Sequence, residues 1–97
     1  MPLFPTEPAI TYIGRDLVRP ECVLACASGQ LFMSDGRGGV TTIAPDGSQR
    51  MIGKSRLTPN GIALCRDGSF LVANLGEGGA LWRIDADGAA QPYLTEI

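Results

Sequence analysis

The sequence predicts an all-β protein built from two copies of one four-stranded unit. Three observations carry this. An internal repeat lays residues 19–26 (Arg-Pro-Glu-Cys-Val-Leu-Ala-Cys) over residues 58–65 (Thr-Pro-Asn-Gly-Ile-Ala-Leu-Cys) at a shift of 39. Glycine and proline supply 13 and 7 of the 97 residues, while aromatic residues make up 6% and charged residues 19%, the composition of short strands joined by many turns. Apolar clusters of four to six residues alternate with Asp-Gly or Gly-Gly pairs, the punctuation of hairpins.

The repeat continues past its opening. At the same shift Gly29 meets Gly68, Leu31-Phe32-Met33 meets Phe70-Leu71-Val72, and Asp35 stands opposite Asn74. After small insertions the shift becomes 41, and Ile43 followed by Asp46-Gly47 matches Ile84 followed by Asp87-Gly88. In the first unit the strands are expected at 22–26, 30–34, 39–44 and 48–52. In the second they are expected at 62–65, 69–74, 80–85 and 90–94. The first strand of each unit is apolar throughout, as expected of a strand packed on both faces. Asp35, Asp46, Asp67 and Asp87 each precede a glycine and read as turn residues, with the glycine supplying positive φ.

Four strands in about 40 residues is the period of a β-propeller blade, and a propeller closes with four to eight blades. The expected architecture is therefore a β-propeller fragment: an amino-terminal extension over residues 1–18 with room for an edge strand, blade 1 over residues 19–57 and blade 2 over residues 58–97. Two blades leave their outer faces bare, which predicts self-association through those faces. Leu, Ile, Val and Phe contribute 24 of 97 residues, enough for one core and too short a chain for two.

Composition also excludes chemistry. With no histidine, a Ser-His-Asp triad, a Cys-His dyad and any histidine-ligated metal site cannot form within these residues. Cys22, Cys26 and Cys65 are too few for a four-thiolate zinc site, and Cys26 and Cys65, at equivalent repeat positions, are expected to be buried, reduced thiols. A net charge of −2 without a basic patch argues against nucleic acid. No apolar run approaches a membrane span, and residues 1–10 lack the pattern of a signal peptide, so a cytoplasmic protein is expected.

Arg19-Pro20-Glu21-Cys22, Asp35-Gly36-Arg37-Gly38-Gly39-Val40, Pro59-Asn60-Gly61-Ile62-Ala63-Leu64 and Gly79-Ala80-Leu81-Trp82-Arg83 resemble the opening blades of the regucalcin and gluconolactonase family of six-bladed propellers, over residues 19–94. That resemblance implies the first two of six blades of a metal-dependent lactone hydrolase, acting on a small-molecule lactone or sugar-acid lactone. It implies that Glu21, matching the glutamate of a Pro-Glu-Gly motif, is a ligand to a divalent metal (Ca, Mg or Zn), although Cys22 stands where the family has glycine. The remaining family ligands fall on later blades, so these 97 residues alone are expected to be inactive. Related non-catalytic propellers of the NHL type, and strictosidine-synthase-like ones, share the Pro-Asn-Gly opening and supply the alternative, a binding module.

Glu21 has two readings from its own position, a channel-facing ligand or a solvated strand end. Asn60, its repeat mate, either contacts substrate at the same channel mouth or forms an Asn-Gly hairpin turn. Trp82 is expected to pack between blades, and Arg37 to be a solvated loop residue.

Overall fold

The structure, a computed structural model, describes residues 12–53, 55–76 and 81–94. It contains eight strands and, among the described residues, no helix: β1 Val23–Ala25, β2 Leu31–Asp35, β3 Gly39–Ile43, β4 Gln49–Ile52, β5 Pro59–Leu64, β6 Phe70–Asn74, β7 Leu81–Ile84 and β8 Ala90–Leu94. They form two four-stranded antiparallel meanders in the orders β1-β2-β3-β4 and β5-β6-β7-β8. Each strand lies within three residues of its expected position. An edge strand is absent from residues 12–18, and that expectation otherwise falls on residues outside those described.

One turn recurs at four hairpins. The amide of Gly29, Gly47, Gly68 or Gly88 donates to the carbonyl three residues back, at Cys26, Ala44, Cys65 or Asp85, and all four glycines have φ between 87 and 96°. A left-handed residue after a tight turn matches the twist of the flanking strands, and glycine adopts it without penalty. The residue before the glycine pins the turn. Asp46 Oδ1, Asp67 Oδ1 and Asp87 Oδ1 each accept the amide two residues on, at Ser48, Ser69 and Ala89, and Ser28 Oγ does the same for Gln30. Asp35 also accepts such a bond, from Arg37, but there the positive φ falls on Gly38 (106°) and not on Gly36.

Cross-strand partners share a face. Leu24 pairs with Phe32, and Val40 with Ile52, so these side chains line one face of the first sheet. Ile62 pairs with Val72, and Phe70 with Ile84, on one face of the second. The two faces pack together. Val40, Ile52, Leu57, Ile62, Phe70, Val72 and Ile84 form the buried cluster, and Cys22, Leu24, Phe32, Trp82 and Ala90 pack around it. The Phe32 and Phe70 rings meet across the sheets at 5.2 Å and 58°. The core is thus an inter-sheet layer, with Trp82 in it as expected.

The first strands depart from expectation. Val23 is 55% exposed and Leu64 42%, because β1 and β5 are sheet edges covered on one side only. Cys26 and Cys65 are also not buried: both are half-buried free thiols at the starts of equivalent hairpin turns, each donating its amide to the carbonyl four residues on. A turn beside an edge strand has no neighbour to seal it.

The link between sheets is held by close backbone approach. Ser55 donates its amide and its hydroxyl to the Gly38 carbonyl, and the next link residue but one, Leu57, enters the core. A β-carbon on Gly38 would overlap the Ser55 carbonyl, and one on Gly39 would press on the carbonyls of Ile52 and Gly53.

Candidate functional site

The two sheets pack face against face with their first strands close together, and this juxtaposition builds the site. Residues 18–22 lead into β1 beside β2: Gly36 donates its amide to the Val18 carbonyl, and Ser34 Oγ accepts the Cys22 amide at 3.0 Å. Arg19, immediately before Pro20, sits at φ 47°, a left-handed conformation unusual for a residue with a side chain and more so before proline. In the second sheet the pairing register shifts between Pro59 and Ile62, so that Asn60 and Gly61 together oppose Ala73. Such a bulge re-aims a side chain. The sequence expectation of an Asn-Gly hairpin turn is therefore corrected: Asn60-Gly61 lies within β5, and the turn chemistry of the pair is not used.

The bulge brings the two repeat mates together. Asn60 Nδ2 donates to Glu21 Oε2 at 2.6 Å, and Arg19 Nη2 donates to Glu21 Oε1 at 3.0 Å. Glu21 and Asn60 are 39 residues apart, one full repeat, and their side chains meet. The carboxylate is 36% exposed and the Arg19 side chain 61%, so the trio opens to solvent, where an ion pair contributes less than about 1 kcal/mol. Holding geometry, not stability, is what the trio gains. Arg19 was not singled out from sequence; its place two residues before an acid was the available signal.

The donor set suits a hard cation in kind and falls short in number. A carboxylate and a carboxamide are oxygen donors of the type Ca²⁺ and Mg²⁺ prefer, yet such ions take six or more oxygens. Among the described residues no three His, Cys, Asp or Glu side chains converge, and Glu21 presents both oxygens to donors of this chain.

A second cluster escaped the sequence reading. Asp35 is fully buried at the end of β2, and its carboxylate accepts Arg37 Nε at 3.0 Å, Arg37 Nη2 at 2.7 Å, the Arg37 amide at 2.9 Å and the Thr41 hydroxyl at 2.8 Å. Burial pushes this carboxyl up, but the bonds from Arg37 and Thr41 and the guanidinium charge outweigh it and hold its pKa down at about 2. Arg37 is a clamp on Asp35, not a free loop residue. The repeat mate Asn74 does related work without charge, its Oδ1 accepting the amides of Thr58 (2.9 Å) and Gly76 (3.0 Å).

The sequence matches no protein-family model and no curated protein.

Proposed function

We propose that these residues are the first two blades of a six-bladed propeller hydrolase that opens small lactones, of the gluconolactonase type. The observation that supports this reading most is the 2.6 Å bond between Glu21 and Asn60, which puts the openings of two successive first strands at one point, as a central channel requires. Glu21, completed by oxygens from later blades, would hold a divalent ion, whose chemistry there is to polarise the lactone carbonyl. Asn60 orients the Glu21 carboxylate and has its own amide oxygen left for a substrate hydroxyl. Arg19 neutralises Glu21 until a cation replaces it. The setting proposed is cytoplasmic.

A second reading has an observation of its own. Both Glu21 oxygens are satisfied within the chain, as they would be in a non-catalytic NHL-type or strictosidine-synthase-like propeller whose strand ends are tied by structural bonds.

Two measurements test the proposal. Calcium titration of the 97-residue chain by calorimetry, with hydrolysis of a γ- or δ-lactone beside it, should show neither tight binding nor turnover; micromolar binding, or turnover lost in Glu21→Gln, would overturn the view that two blades are insufficient. Reading the coding sequence past codon 97 should show an Asn and an Asp opening later first strands, and their absence would hand the protein to the second reading.

A further inference from the structure

Gly61 is a glycine that neither a turn nor packing requires. It lies inside β5 without a positive φ, and a β-carbon on it would meet nothing nearer than Ala73 Cβ at 3.9 Å, an ordinary contact. Gly38 and Gly39 differ, since there the backbone itself leaves no room. A glycine in a strand interior weakens the strand. What the missing side chain gives is access. With no β-carbon beside it, the Gly61 nitrogen can approach the side-chain carbonyl carbon of Asn60, and asparagine before glycine is the pair most prone to close into a ring.

A regular strand would suppress that reaction by tying the backbone on both sides to a partner. Here Pro59 pairs with Asn74 and Ile62 with Val72, so Asn60 and Gly61 share Ala73 and neither has a partner of its own. Both are half-buried, and the cluster they join opens to solvent at Glu21, so water reaches the pair.

We propose that Asn60 is a site of spontaneous deamidation in the folded chain, and that the product opens the contact with Glu21. The Gly61 nitrogen loses its proton and attacks Asn60 Cγ, the bond from Cγ to Nδ2 breaks, and Nδ2 leaves with the proton as ammonia. Water then opens the five-membered imide at either carbonyl, giving aspartate or isoaspartate at position 60 without any change of oxidation state. The nitrogen that leaves is the one that donates to Glu21 Oε2 at 2.6 Å. A carboxylate then faces a carboxylate, one negative charge is added to the net −2, and the openings of the two first strands repel. The change runs one way, so the state of this contact records the age of the chain. The inference rests on the bulge and the Glu21–Asn60 contact and not on the hydrolase reading; absence of lactone turnover leaves it standing.

The experiment incubates the purified 97-residue chain at neutral pH, with and without denaturing urea, and follows each asparagine by peptide mapping and mass spectrometry. Position 60 of the folded chain should convert at a rate within about tenfold of the unfolded chain's. Asn74, which precedes Leu75 and whose Oδ1 holds the amides of Thr58 and Gly76, should stay intact in the folded chain. Gly61→Ala, for which the strand has room, should convert several-fold more slowly at an unchanged or higher urea midpoint. The converted chain, separated by ion exchange as the more acidic form, should unfold at lower urea than its parent. A folded rate below about a tenth of the unfolded one would overturn the proposal, because the reaction would then proceed only through unfolding. Conversion undiminished in Gly61→Ala, or a converted chain as stable as its parent, would overturn it as well.

Discussion

Exchange of Asp35 for asparagine probes the buried clamp. The substitution keeps Oδ1 as acceptor for the Arg37 amide and Nε, and turns Oδ2, which serves Arg37 Nη2 and the Thr41 hydroxyl, into a donor. Arg37 is 37% exposed and can turn Nη2 to water, and the buried Thr41 hydroxyl can accept from the new amide. The pH-independent cost is then about 1–3 kcal/mol. A second part depends on pH. The folded carboxyl titrates at about 2 against an ordinary 3.8, so the unfolded chain takes up the proton first as pH falls. The charge-linked stability is therefore fully present above pH 5 and is lost on acidification, about 1 kcal/mol by pH 3 and about 2 kcal/mol by pH 2. Urea unfolding followed by Trp82 fluorescence, at pH 6, 4, 3 and 2, measures it on both proteins. Asp46 and Asp67, also held below the usual carboxylate range by bonds from Ser48 and from Ser69, contribute equally to each and cancel in the difference. The gap between wild type and Asp35→Asn should close by about 2 kcal/mol between pH 6 and pH 2. A gap that does not move with pH would refute the reasoning, showing that the carboxylate gains nothing from Arg37 and Thr41.

Other substitutions test other parts of the structure. Gly38→Ala should destabilise by more than about 2 kcal/mol in urea unfolding, since it adds left-handed strain to an overlap with the Ser55 carbonyl. Phe70→Ala should cost about 3–5 kcal/mol while Leu71→Ala, on the outer face, costs clearly less, and equal losses would contradict the face assignment. Asn60→Asp should lower the urea midpoint at pH 7 by setting a second carboxylate against Glu21, and an unchanged midpoint would contradict the contact. Cys26 and Cys65, equally placed and half-buried, should label with a thiol reagent at similar rates under native conditions.

The hairpins were legible because their chemistry is local. A glycine after Asp46, Asp67 or Asp87 decides both the turn and its position, and an alternation of apolar clusters around it needs no partner to be read. The equivalence of Glu21 and Asn60 was legible for a different reason, since each opens the first strand of its repeat, while their contact depends on how the two sheets pack. What the sequence hid depends on who lies opposite. The Asn60-Gly61 bulge is set by Ala73 on another strand, and the same dipeptide elsewhere would have turned the chain. The Asp35 clamp looked like one more Asp-Gly turn because the burial that makes it matter comes from the packing of β2 and β3. The openness of β1 was missed because apolar composition reports what a strand can bury and not what covers it.

The meander order has a consequence for how the chain reaches this structure. Among the described residues every hydrogen-bonded strand pair is between neighbours in sequence, its strands only a few residues apart along the chain, so the closure entropy of each pairing is small. The contacts that join the sheets, such as Cys22 to Ile62 and Glu21 to Asn60, span 40 and 39 residues. Pairing within each sheet is therefore local, while these contacts between the sheets are about one repeat long. Lengthening such a chain by whole units adds contacts between sheets without lengthening any loop that must close.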